Sequence, residues 1–222
     1  MSKATEKAYS LIRENILSGH FAAGTHLKEG ELVELCGVSR TPVRDALRQL
    51  ATDRYVVIRR NQGVFVNEWS IDDINDIFDL RAILEALIAE RAATRISEDE
   101  LAELKSIHGA IQAMLDDNDQ PQVEFFLAHN KRFHQILSEA ADSRMLSDTL
   151  NQIVQPPLIA QTARQYSKGE LQNSNDHHRE MINAFEMRDG AWAALVMKTH
   201  IVAAQRKFMH SYRPENADTP QQ

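Results

Sequence analysis

Residues 28–66 read KEGELVELCGVSRTPVRDALRQLATDRYVVIRRNQGVFV, and the order of signals in this stretch decides the N-terminal fold. Leu32, Val33, Leu35 and Cys36 are the apolar set of a short helix over 28–36. Gly37 stops it, because glycine enters the left-handed conformation of a tight turn without a Cβ penalty. A second helix follows from about Ser39 to Asp53, with Val43, Ala46, Leu47 and Leu50 at i, i+3, i+4 and i+7. Pro42 suits its first turn, where N–H groups need no intrahelical partner. Residues 55–58 and 64–66 are β-branched and aromatic and bracket the polar turn Arg59-Arg60-Asn61-Gln62-Gly63, which predicts a two-stranded hairpin. Upstream, Ala4, Ala8, Leu11, Ile12 and Ile16 form a helical stripe within 3–19, ended by Gly19. Helix, glycine turn, helix and hairpin is the order of a winged helix-turn-helix, whose second helix enters the major groove of DNA.

The side chains suit that task. Arg40, Arg44 and Arg48 are spaced i, i+4, i+8, so three guanidinium groups leave one side of the helix, where they can grip phosphates and fork onto guanine edges. Ser39 and Thr41 sit at the helix start, where hydroxyls and unsatisfied N–H groups can take a phosphate oxygen. Alone, such an arginine face reads as the solvated side of an amphipathic helix; the glycine turn and the basic hairpin turn the reading toward DNA. Charge supports it. The chain carries −7 overall, but residues 39–60 hold six arginines against Asp45 and Asp53. Residues 1–68 carry ten basic and eight acidic groups, and residues 69–222 fifteen and twenty-four.

Leu11-Ile12-Arg13, Gly19-x-Phe21-x-x-Gly24, Leu27-Lys28-Glu29 and the run from Gly37 to Leu47 together resemble the GntR family of bacterial regulators. The resemblance implies that Arg40 and Arg44 contact bases or adjacent phosphates and that the wing, with Arg59, Arg60 and Gly63, lies near the minor groove. Glu31 stands where some members touch DNA with an arginine, so that contact is not expected here. One recognition helix covers few base pairs, which makes a homodimer on a two-fold related double-stranded operator the expected assembly.

Beyond Trp69 every long segment has helical period, with helices expected at about 71–95, 98–117, 121–140, 143–166, 171–188 and 190–211. Ser70 and Ser97 are N-cap candidates, the latter with Glu100 as a capping box, and Pro156-Pro157 must break or kink the fourth of these helices. The fold class is therefore mostly α, a winged helix-turn-helix over 1–68 followed by a helical bundle over 69–213 for effector binding and dimerisation, with a polar, disordered tail over 214–222.

Within the bundle, Asn130 and His134 are i, i+4 on one helix, and His178 and His200 lie on two others. Imidazoles converging from several helices suit Zn²⁺ or Ni²⁺, although pattern alone leaves partly buried or surface histidines open. Phe133-His134-x-x-Leu137, His178-Arg179, Asp189 through Ala193 to His200-Ile201, and Leu80-Arg81-x-x-x-Glu85 resemble the FCD effector domain of the FadR-type GntR branch. That resemblance implies a metal held at positions 130, 134, 178 and 200, where relatives usually carry one Asp and three His. Asn130 departs from the pattern: a neutral amide leaves the ion's charge uncompensated, which weakens metal binding and suits an anionic effector. Arg81, His134, His178 and His200 are the expected contacts of a small organic acid, with a salt bridge from Arg81 to Glu85 as the other reading of that arginine. His177 points about 100° away from its neighbour His178 and is not expected as a ligand. His108, His129 and His210 read as surface or packing side chains.

No secretory signal or run of about 18 apolar residues occurs, so a cytoplasmic chain with no membrane partner is expected, and Cys36 reads as a small core residue. A catalytic zinc on His134, His178 and His200 is the rival from another class. It would lack a general-base motif and leave the helix-turn-helix without purpose, so no enzyme is expected. A regulator that binds its effector without metal is the third reading.

Overall fold

The computed structural model describes residues 2–117 and 122–211. The tail expected from 214 and the expected helix start at 121 lie outside them. Among the described residues there are ten helices and one small sheet. Their contacts divide into two compact units, one built from the segment ending at Asp73 together with Gln155–Gln161, the other from Ile74–Val154 and from Thr162 onward.

In the first unit α1 (Lys3–Leu17), α2 (Glu29–Cys36) and α3 (Arg40–Thr52) pack around one apolar centre of Ala8, Ile12, Leu32, Val43, Leu47 and Leu50. Ser2 caps α1 by accepting from the Thr5 N–H at 3.2 Å. Gly37 reverses the chain between α2 and α3 at φ 60°, ψ 40°, and its N–H reaches the Val33 carbonyl at 3.0 Å. Cys36 is buried beside it, and burial pushes its thiol pKa up.

The hairpin forms from β2 (Val56–Arg59) and β3 (Gly63–Val66), in antiparallel register from Val56↔Val66 to Arg59↔Gly63. A third strand, β1 (His26–Leu27), joins the other edge of β3 through His26↔Phe65 and Leu27↔Val64. Two residues are too short to show a strand period, so the expected two-stranded wing is a three-stranded sheet. Gly63 has φ 111°, and a Cβ there would run into the His26 imidazole, so β1 closes against backbone.

The second unit holds α4 (Ile71–Arg95, of which residues from Ile74 belong here), α5 (Glu98–Asp117), α6 (Val123–Ala140), α7 (Arg144–Ile153), α9 (Lys168–Glu186) and α10 (Gly190–Ser211). Phe78, Phe133, Phe185 and Phe208 lie fully buried among Leu104, Ile111 and Leu115. The Ser97 box forms as expected, with Glu100 N–H donating to Ser97 Oγ and Ser97 N–H to Glu100 Oε2. The segment expected as one helix over 143–166 is two: α7 ends at Ile153 and α8 (Pro156–Arg164) opens on the proline pair, which occupies first-turn positions where no ladder donor is missed.

Gly190, at the start of α10, lies against α4, where an added Cβ would sit 2.8 Å from the Glu90 carbonyl oxygen. Alanine would gain helix propensity of about 1 kcal/mol, but the obstacle is backbone and cannot swing aside. Gly190→Ala is expected to destabilise this unit by about 1–3 kcal/mol, read as a lower urea midpoint at unchanged slope; an unchanged or higher midpoint contradicts the close approach.

Candidate functional site

The apolar side of α3 is almost fully buried, and that forces Arg40, Arg44 and Arg48 into the open. Arg44 aims its Nε at both carboxylate oxygens of Glu29, each at 2.9 Å. The contact engages only the inner edge of the guanidinium, so its Nη groups stay available for a fork onto a base or phosphate. Glu29 lies at the start of α2, fifteen residues away, and was not expected as a site residue; the Leu27-Lys28-Glu29 motif is the signal that could have found it. Arg48 leans back to Asp45 at 3.3 Å. Ser39 holds the N-cap position in extended backbone while its hydroxyl makes no capping bond, and Thr41 is exposed beside it. On the hairpin, Arg59 lies 4.6 Å over the Phe65 ring and 3.4 Å from Glu68, with Arg60 and Gly63 exposed at the turn. Glu31 pairs with Lys28 at 2.9 Å.

In the second unit, α6, α9 and α10 bring His134, His178 and His200 together, with one ring nitrogen of each within 4.8 Å of the others. His178 stacks on Phe133, centroids 4.0 Å apart and 12° from parallel, and is fully buried with neither nitrogen hydrogen-bonded. His200 is 7% exposed and its Nδ1 has no partner. Burial, then the neighbouring imidazoles, hold both rings far below the ordinary histidine pKa. They are therefore neutral at pH 7 and carry free lone pairs. One turn before His134, Asn130 points a buried Oδ1 at no hydrogen-bond donor.

His134 is oriented from outside the cluster. Its Nδ1 lies 2.7 Å from Glu85 Oε2, while Glu85 Oε1 accepts from Arg81 Nε at 2.9 Å. Burial works against ionisation of Glu85, but Arg81 and His134 hold its pKa down at about 2. Arg81 is thus engaged by its own helix, as one of the two readings of that arginine had it. The Glu85–His134 bond spans 49 positions, beyond the reach of any local pattern.

A cleft of about 540 Å³ opens between α9 and α10, with Tyr166, Glu170, His177, His200, Arg206 and Lys207 on its walls. Glu170 and Lys207 pair at 2.8 Å. Burial, followed by Glu170, pushes the Tyr166 hydroxyl up to about 12. His177 lines this cleft, 5.8 Å from the His200 ring, and is outside the cluster of three. His210 also borders it, while His129 stacks on Phe125 and bonds its carbonyl at 2.8 Å. No described helix is long and apolar enough to cross a membrane.

Residues 76–203 match the FCD domain family, and residues 4–66 match the family described as bacterial regulatory proteins, gntR family. The HTH-type transcriptional repressor RspR of Escherichia coli K12 is 27% identical over 217 residues, covering 96% of this chain and 92% of the relative. The Uxu operon regulator of Haemophilus influenzae is 26% identical over 208 residues, covering 86% and 76%. Among solved structures, E. coli McbR/YncC superposes with a TM-score of 0.71 at 19% identity, over 96% of this chain and all of that one, a likeness of fold. These families and relatives are transcription regulators and not enzymes, and both the buried histidines and the α3 arginines fall inside the matched segments. The chain belongs to the GntR family of bacterial regulatory proteins, with a helix-turn-helix domain followed by an FCD domain.

Proposed function

We propose that this GntR regulator binds a two-fold operator as a cytoplasmic homodimer, and that a small organic acid alters its affinity by binding at a divalent metal in the FCD domain. The observation that carries the reading is the convergence of three imidazoles, two of which, His178 and His200, hold buried nitrogens without hydrogen-bond partners. A buried polar atom without a partner is costly, and an ion that accepts the lone pairs removes that cost. Asn130 Oδ1, equally without a donor, is the fourth candidate ligand, so the residues present fit a metal of the Zn²⁺ or Ni²⁺ type. Such an ion would supply a Lewis-acidic charge for a carboxylate.

The charge balance favours an anion. His134, His178, His200 and Asn130 are neutral ligands, and Glu85 is offset by Arg81 across 2.9 Å, so these residues together bring no net negative charge to the ion. Glu85 acts as a positioning residue: by accepting from His134 Nδ1–H it leaves Nε2 as the lone pair. Arg81 keeps its Nη groups for an effector carboxylate beyond the one bond to Glu85. The adjoining cleft of about 540 Å³ is of a size that takes a small molecule.

On the DNA side, Ser39, Arg40, Thr41, Arg44 and Arg48 form the reading face, with Glu29 steadying Arg44, while Arg59, Arg60 and Gly63 form the wing contact. Arg44→Ala should cost roughly 1–3 kcal/mol of operator affinity and relax sequence preference. Arg59→Ala should weaken all sequences alike and lower the salt slope by about 1. Binding measured across salt concentrations on operator and scrambled duplexes separates the two. Full discrimination retained by Arg44→Ala would remove α3 as the reader.

Titration of chelator-stripped protein with Zn²⁺ or Ni²⁺ by calorimetry tests the metal. His178→Ala should abolish stoichiometric binding, Asn130→Asp should tighten it by restoring a negative ligand, and Glu85→Gln should weaken it about 10- to 100-fold. Equal binding by native protein and His178→Ala would leave the metal-free regulator as the surviving reading.

A further inference from the structure

The two faces of the sheet in the first unit carry different side chains. Leu27, Val56 and Val66 belong to the core, while the register puts His26 of β1, Phe65 of β3 and Arg59 of β2 together on the other face. His26 stacks on the Phe65 ring, centroids 4.7 Å apart and 22° from parallel, and Arg59 lies 4.6 Å over the same ring, from the opposite edge of β3. The imidazole also lies across the bare Cα of Gly63, where a Cβ would displace it. His26 is exposed and has no hydrogen-bond or ion-pair partner among the described residues. Three residues further along the chain, Glu29 bonds Arg44 of α3. His26 therefore stands where the wing meets the start of α2, between the side chains proposed for the two grooves.

In duplex DNA the ridge between neighbouring grooves is a sugar-phosphate strand. A chain that sets α3 in one groove and its hairpin in the next straddles that ridge, and whatever stands between them faces phosphate. We propose that His26 is a phosphate contact, seated on the backbone strand between the groove read by α3 and the groove entered by the wing; the proposal rests on the DNA reading above and adds a residue to it. An imidazolium has a donor on each nitrogen, and stacking on Phe65 fixes the ring without using either. The charged groups around it are Arg59 across Phe65, and Lys28 and Glu29 at the start of α2. Lys28 is paired with Glu31 and Glu29 with Arg44, so neither carboxylate is spent on the ring. Histidine gains its charge as pH falls between about 8 and 5, so a contact of this kind strengthens toward acid pH. A phenylalanine at position 26 would keep the stack and offer a phosphate nothing, which separates contact from packing.

Fluorescence anisotropy of the full chain on operator and scrambled duplexes, across salt concentrations at about pH 6 and pH 8, gives the test. At the lower pH His26→Phe should weaken both duplexes alike, by about 3- to 10-fold, and lower the salt slope by about 1, with a smaller loss at the higher pH. His26→Lys should keep the slope at both pH values and lose the pH dependence that the imidazole adds. Circular dichroism melts confirm that both variants fold. Unchanged affinity, slope and pH profile in His26→Phe, while Arg44→Ala and Arg59→Ala weaken binding, overturn this contact alone. A loss equal at both pH values, or one confined to the operator, assigns His26 to packing or to base reading and overturns it too. Binding unmoved by Arg44→Ala and Arg59→Ala as well overturns the DNA reading on which the contact rests.

Discussion

A carboxylate cut off from water stays ionised only where opposite charge and hydrogen-bond donors reach it, and Glu85 meets that condition from two directions. Arg81 comes from the next turn of α4, and His134 comes from α6. The bond to His134 ties two helices at the depth of the core and fixes the tautomer of the imidazole, since an ionised carboxylate only accepts. Removing Arg81 would leave the buried Glu85 charge unpaired, at a cost of roughly 3–5 kcal/mol. The direction in which His134 presents its second nitrogen, and with it the geometry of the three-histidine cluster, follows from this contact.

The cluster itself sits at a disadvantage that the rest of the domain must offset. His178 has no partner for either nitrogen, and stacking on Phe133 replaces none of the hydrogen bonds that water would make. Phe133, Phe185 and Leu104 are buried without exposure and supply the compensating apolar burial. An arrangement of this kind is stabilised in proportion to occupancy by whatever binds the native state. Buried polar groups left unpaired are therefore where a ligand has most to offer, which is the physical reason the proposed effector site is put here rather than at the exposed ion pairs of the surface.

Legibility in the sequence follows range. The winged helix-turn-helix was readable because each signal is local: Gly37 and its left-handed turn, the period of Val43, Ala46, Leu47 and Leu50, and the β-branched runs around Gly63. β1 was not, since two residues carry no period and its place depends on the absence of a Cβ at Gly63. The break between α7 and α8 was signalled by the proline pair, while its position after Ile153 was not. His134, His178 and His200 came from the family resemblance, because spacing within helices says nothing about which helices meet. The Glu85–His134 bond, the Glu29–Arg44 pair and the cleft between α9 and α10 arise only from packing.

Net charge alone would argue against nucleic acid, and the reason it does not decide the matter is distance. At physiological ionic strength the Debye length is about 8 Å, so an acidic group farther than that from a phosphate contributes little to the encounter. In the proposed contact a phosphate meets first the segment 39–60, with six arginines against two aspartates. Within it, Asp45 is answered by Arg48 at 3.3 Å, and Asp53 accepts from Tyr9 at 2.7 Å and from Gln49 at 3.1 Å. The two aspartates of this segment are thus occupied by their own neighbours, and Glu29 by Arg44. On the proposed reading the attraction felt by DNA is set by this local excess of arginine, and the −7 of the whole chain bears on solubility and self-repulsion rather than on operator binding.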